Sequence, residues 1–305
     1  MRRNLYKPDT GLAARMFFVM FLLAALYLAF VVVLVEVGAS YTFIIVFVAI
    51  MLAVQYYFSD RLVLASVGAR VVERDEAPQL HDIVDRLVAM AGMPKPRLAI
   101  VQSHVPNAFA TGRDPQHAVV AVTSSLLNRL EPNEIEAVLG HELTHIRNRD
   151  ATVITLASFF ATVAFFVMRS GMFYGMFGGF GRRRGRDGGA SAIVLVYLAS
   201  LIVWVISFFL IRALSRYREY AADRGSAIIT GAPSALAAAL QKISGDMARI
   251  PDRDLREVQG LNAFFILPAV SGQSLMELLS THPSLEHRLE RLRRMQAQME
   301  GLGPR

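Results

Sequence analysis

"EPNEIEAVLGHELTHIRNRD", residues 131–150, decides how the rest of the chain is read. Pro132 sits where a helix start tolerates it, and Glu134 and Glu136 bring carboxylates to the first turn, where the helix dipole favours them. The spacing predicts a helix over 133–149. On that helix His141 and His145 are four residues apart and lie one above the other on one face. Both imidazoles can then reach one ion at about 2.0–2.1 Å. Glu142 can address a water held by that ion without competing as a ligand. Zinc acidifies such a water, and a carboxylate can take its proton during attack on a carbonyl and pass it to the leaving amine. The pattern H-E-x-x-H therefore points to metal-assisted hydrolysis. Chance supplies it in on the order of one chain of this size per hundred. The alternative is an ordinary helix with two histidines, so the third ligand is the test.

A catalytic zinc needs three protein ligands and one open position. The chain has no cysteine, so the ligands must be His, Asp or Glu. "SRYREYAAD", residues 215–223, offers Glu219 and Asp223, again four apart at helical spacing. Glu219 would complete a His-His-Glu set. Asp223 could accept a proton from the far nitrogen of a zinc histidine and fix its tautomer. The plainer reading is a solvated helix face with pairs to Arg216, Arg218 or Arg224.

Composition places this chemistry beside a membrane. Of 305 residues, 54% are hydrophobic, and the net charge is +7. The apolar residues fall in blocks. Residues 16–35, "MFFVMFLLAALYLAFVVVLV", are long enough to cross a hydrocarbon core, which takes about 20 helical residues. Residues 41–58, 151–168 and 192–211 are three further blocks. The first reads as a retained anchor, because its apolar core exceeds the roughly 7–15 residues of a signal peptide. For 151–168 a buried soluble helix is the competing reading. The blocks pair into two hairpins, 1–60 and 151–211. The soluble halves, 61–150 and 212–305, carry ten and thirteen Lys and Arg. With Arg2, Arg3, Lys7 and Arg15 ahead of the first span, this predicts cytoplasmic termini and a cytoplasmic soluble part. The Arg/Gly-rich loop 169–190 carries five arginines on the other side, against the rule. Both halves of the metal set then emerge on one membrane face if 151–211 forms a hairpin.

The soluble halves read as α+β and mainly helical. Leu80, Ile83, Val84, Leu87, Val88 and Ala91 repeat at helical spacing, and "MPKPR" stops the helix. "LAIVQS" (98–103) and "HAVVAVTSS" (117–125) read as strands of a small antiparallel sheet, with an edge strand between them. His81, His104, His117 and His287 carry no spacing signal and read as surface or local hydrogen bonders.

HELTH, "EYAAD" (219–223), "NAFATG" (107–112) and "THPSLEHR" (281–288), with paired apolar blocks, resemble the M48 membrane zinc metallopeptidases, and within them a bacterial stress-response branch. The resemblance runs from the first span to about residue 294. It implies a gluzincin-type peptidase domain in the bacterial inner membrane, facing the cytoplasm, with one Zn2+ per chain. It implies His141, His145 and Glu219 as ligands, Glu142 as general base and Asp223 as the partner of His141. "NAFATG" then becomes a substrate-binding edge strand in which Asn107 and the backbone of Ala108 and Phe109 hold a peptide by strand addition. Otherwise it is a turn with Asn107 at its start. His282 and Arg288 fall where the family has a His-Pro segment near the active site, for an oxyanion or gating role. "THPSLEHR" also reads as a capped helix start.

The expected function is an endopeptidase that degrades misfolded or damaged membrane proteins. The alternatives are a processor of lipidated C-terminal peptides (CAAX-type) and a non-enzymatic scaffold with a relic metal site. Four apolar blocks rather than seven oppose the former, and the presence of Glu142 opposes the latter. Nucleic acid is not an expected partner, because the RRRGR patch lacks interleaved aromatics.

Overall fold

In the computed structural model, which describes residues 9–38, 40–177, 188–247 and 282–301, helices dominate. In chain order they are α1 (Thr10–Glu36), α2 (Tyr41–Ser66), α3 (Pro78–Ala91), α4 (Ser124–Arg129), α5 (Pro132–Arg147), α6 (Asp150–Phe177), α7 (Gly188–Thr230), α8 (Pro233–Met247) and α9 (Leu285–Met299). The strands are β1 (Arg70–Val71), β2 (Arg97–Val101), β3 (Ala108–Thr111) and β4 (Val119–Thr123).

The apolar blocks form helices that run past the blocks' own ends. Among the described residues, Thr10–Glu36, Asp150–Arg169 and Val194–Thr230 contain stretches long and apolar enough to cross a membrane, and α2 contributes an apolar stretch at Ile44–Val54. Their outward faces are apolar: Phe17 is 74% exposed on α1 and Phe166 58% on α6. Facing inward, Leu23, Tyr27 and Phe30 of α1 pack with Phe159 and Val163 of α6 and Val203 and Leu214 of α7. The Tyr27 hydroxyl donates to the Ala157 carbonyl at 2.5 Å, which satisfies both polar groups inside the bundle. Residues 169–177 and 188–190, expected in a loop, continue α6 and α7 instead. The rest of that loop, 178–187, lies outside the described residues, as do Arg2, Arg3 and Lys7.

The sheet corrects the antiparallel expectation. Its order is β1-β2-β4-β3, with β2 and β4 parallel and the outer pairs antiparallel. All five residues of β4, "VVAVT", are buried, and a strand apolar on both faces takes a central place. One face of the sheet (Leu98, Val120, Val122) packs on α3, α5 and α8. The other face (Ala99, Phe109, Val119, Ala121) is covered by Val63, Leu64 and Val67 from the end of α2 and the turn after it. The amphipathic segment is α3, with Leu80, Ile83, Val84, Leu87 and Val88 buried, ended by Gly92 at φ 63°. Pro132 stands at the start of α5, and Glu131 and Glu134 form a reciprocal capping box there.

Candidate metal centre

Two helices meet at close range to build the site. On α5, Ala137, Gly140 and Thr144 share a face. On α7 they are met by Ser226, whose hydroxyl donates to the Ala137 carbonyl at 2.6 Å, and by Gly225. A Cβ at Gly225 would lie 2.3 Å from Thr144 Cγ2, so no larger residue fits without movement. This approach sets Glu219 beside the histidines of α5. α7 is continuous from its apolar residues to Thr230, so a helix long and apolar enough to cross a membrane also carries Glu219 and Asp223.

Among the described residues, His141, His145 and Glu219 each bring one ligand atom to within 4.8 Å of the others. The two histidine Nε2 atoms are 3.1 Å apart, and they lie 3.5 and 3.4 Å from the Glu219 carboxylate oxygens. Glu219 Oε2 is buried and makes no hydrogen bond. Two imidazole nitrogens and a carboxylate oxygen converging at a largely buried point suit a cation at their centre. Two His and one carboxylate are a catalytic zinc donor set. The residues fit the metal that the sequence implies.

Each histidine is held from behind. Asp223 Oδ1 is 3.0 Å from His141 Nδ1, the position expected of it. Asp150 Oδ2 is 2.6 Å from His145 Nδ1, and Arg218 Nε is 3.2 Å from Asp150 Oδ1. Burial pulls both imidazoles down, but Asp223 and Glu219 outweigh it and raise the pKa of His141. Asp150 and Glu219 likewise push His145 up to about 10. Glu142 is buried, and that burial raises its carboxyl pKa despite a hydrogen bond from the Ala110 backbone.

A cleft of about 190 Å³ exposes this chemistry; Val63, Phe109, Ala110, Glu142, Glu219 and His282 are in its wall. β3 is its edge strand. Thr123 N–H donates to the Asn107 carbonyl at 2.9 Å, so Asn107 faces β4. By the alternation of an antiparallel ladder, Phe109 also turns its backbone to β4, and Ala108 and Ala110 turn theirs outward. Outward backbone thus comes from Ala108 and Ala110, while Phe109, named with Ala108 from the sequence, turns its backbone to β4. Asn107 is buried at the strand's start. His282 Nδ1 lies 3.3 Å from Glu219 Oε2, at the cleft. Arg288 is fully buried and donates to Asp223 from Nε (2.9 Å) and Nη2 (2.6 Å), which places it behind the ligands. Its helix start is also real: Ser284 caps α9 by accepting from His287 N–H. His81 is buried rather than on the surface, with Nε2 3.1 Å from the Val72 carbonyl.

Asp150 was not singled out in the sequence, and Arg218 entered only as an intrahelical pair for Glu219 or Asp223. Asp150 follows His145 by five residues, so no helical spacing links them. It reaches the ring because the chain turns at Arg149, which has φ 55°.

Comparisons with known proteins identify the family. The model of peptidase family M48 matches residues 74–296. A protease HtpX homolog from Moorella thermoacetica is 65% identical over 300 residues, covering 98% of this chain and 99% of the relative. Protease HtpX homolog 2 from Methanosarcina acetivorans is 56% identical, covering 98% of this chain and 100% of the relative. The crystal structure of S. mikatae Ste24p is similar in fold, with a TM-score of 0.54 at 18% identity over 93% of this chain and 67% of that one. Family match, near-full-length relatives, apolar helices and buried ligand cluster together establish that the chain belongs to peptidase family M48 and is a membrane metalloprotease.

Proposed function

We propose that the protein is a zinc endopeptidase of the inner (cytoplasmic) membrane, active on its cytoplasmic face, that degrades misfolded or damaged membrane proteins. The observation that carries this reading is the convergence of His141, His145 and Glu219 within 4.8 Å. It lies in one cleft with a buried carboxylate at Glu142 and the outward edge of β3. When bound, zinc acidifies a water and polarises the scissile carbonyl. Glu142 takes the proton of the attacking water and delivers it to the leaving amine. Burial raises its carboxyl above the usual carboxylate range, which makes it a stronger base. Ala108 and Ala110 orient an extended substrate by adding it as a strand beside β3. His282, at the cleft and beside Glu219, is placed to donate to the developing oxyanion.

Orientation and substrate class rest on charge and position. The soluble halves and the residues ahead of the first span carry most of the Lys and Arg, which favours the cytoplasm for them and for both termini. We read the two halves as one peptidase domain interrupted by the hairpin 151–211, with the hairpin 1–60 ahead of it. α6 begins at the cleft and α7 lines it with Ser215, Arg218 and Glu219, so a segment released from the bilayer meets the site at the membrane surface.

Glu142→Gln tests the mechanism. It removes a base and spares the ligands. Metal content measured on purified protein should match the wild type, and cleavage of an unfolded casein-type substrate should fall by about 10²–10⁴-fold. Near-normal cleavage by the variant would reject the mechanism, as would wild-type cleavage that survives a chelator.

A further inference from the structure

We propose that Asp150 is a positioning residue for the metal site, through which the first turn of membrane helix α6 sets how His145 presents Nε2 to the ion. The proposal rests on the zinc reading above. Three elements meet at this carboxylate. Asp150 Oδ2 lies 2.6 Å from His145 Nδ1 on α5, and Oδ1 lies 3.2 Å from Arg218 Nε on α7. Arg218 directly precedes Glu219, so the same carboxylate touches one ligand and the neighbour of another. A hydrogen on Nδ1 donated to Asp150 leaves the Nε2 lone pair free. Nε2 is the atom that faces Glu219 and His141. The arrangement repeats at the other histidine, where Asp223 faces His141 Nδ1 and is itself held by Arg288. Each ligand histidine thus has its own carboxylate and arginine.

The backbone is shaped to put the carboxylate there. α5 passes into α6 through Asn148 and Arg149, and Arg149 takes the left-handed conformation with φ 55°. That region disfavours a residue with a Cβ, and such outliers persist where the surroundings hold them. Asp150 is also the first residue of α6, where free N–H groups favour a negative charge. The same turn binds the substrate side of the cleft: the Thr152 hydroxyl donates to the Arg113 carbonyl at 3.0 Å, just after β3. A residue serving only to start a helix needs neither near-complete burial nor a partner on α7, and Asp150 has both, being 1% exposed.

The test uses the full chain in detergent or nanodiscs and measures zinc dissociation by competition with a chromogenic chelator. Asp150→Ala should lower zinc affinity by about 10–100-fold. Asp150→Asn keeps an oxygen acceptor at the same reach and should lose clearly less. Asp150→Ser decides between the two roles, because serine starts helices well but is too short to reach His145. Under the proposal Asp150→Ser weakens zinc binding as Asp150→Ala does, while its metal-free melting temperature lies at or above that of Asp150→Ala, because serine restores the helix start. Zinc binding by Asp150→Ser within about twofold of the wild type overturns the proposal. If the wild type itself binds no zinc, the functional reading fails and this inference with it. If the wild type binds zinc and cleaves but Asp150→Ser is indistinguishable from it, this inference alone fails.

Discussion

Arg288 has no contact with solvent, yet it carries a charge and gives two hydrogen bonds to Asp223. A buried ion pair is costly to break from one side, because the remaining charge keeps its desolvation cost and loses its partner. Arg288→Ala should therefore destabilise the metal-free protein by about 3–5 kcal/mol and weaken zinc binding through His141. Thermal melting and chelator competition read the two effects separately. Adding Asp223→Asn should restore part of the stability, since it removes the orphaned charge, and should leave metal affinity low. A single variant that melts with the wild type would show that the pair carries no structural weight. The sequence made this arginine visible only through "THPSLEHR". Its charge was legible there and the resemblance implied a place near the site, but its burial behind Asp223 was not legible. That depends on α9 docking against α7.

The crossing of α5 and α7 governs ligand convergence. Periodicity locates both helices and assigns His141, His145 and Glu219 to faces. It does not state that the faces touch. The signal that could have been read is the run of small residues, Ala137 and Gly140 on α5 and Ala222, Gly225 and Ser226 on α7. Small residues let two backbones approach, and here Gly225 leaves room for the branched Thr144 side chain. Gly225→Val should force the helices apart at a cost of about 1–3 kcal/mol. Zinc affinity should drop although no ligand changes. Wild-type zinc affinity in a folded Gly225→Val protein would sink the argument. The sheet illustrates the same limit. Strand identity was legible in "LAIVQS" and "HAVVAVTSS", and consecutive strands suggest a meander. The chain instead carries β3 past β4 to the edge, so that doubly buried β4 sits centrally beside β2. That leaves β3 with an open side at the cleft.

On the proposed reading, the pair α6 and α7 interrupts the peptidase domain and crosses the bilayer. Asp150 lies at the metal site and Arg169 is the next charged residue on α6, the two closing a span of 20 residues. At 1.5 Å per residue this is roughly 30 Å, the thickness of a hydrocarbon core. Arg169 should therefore lie on the face opposite the active site. The chain has no cysteine, so Arg169→Cys reports alone. A membrane-impermeant thiol reagent should label it in intact cells with a permeabilised outer envelope. Protection there, with labelling in inverted vesicles, would mean that the arginines after α6 hold the pair on the cytoplasmic side.

What the chain declares along its own length is chemistry and hydropathy: the H-E-x-x-H face, Glu219 and Asp223 at helical spacing, and four apolar blocks. These are local properties, set by side-chain identity and a period of 3.6 or 2. Contacts between distant segments decide the rest. They include the parallel pairing of β2 with β4, the outward turn of Ala108 and Ala110, and the burial of Arg288 against Asp223. The junction at Arg149 belongs with them, because a left-handed residue with a Cβ has no signature in sequence. It is held by the packing of α5, α6 and α7 around Asp150, which no spacing rule anticipates.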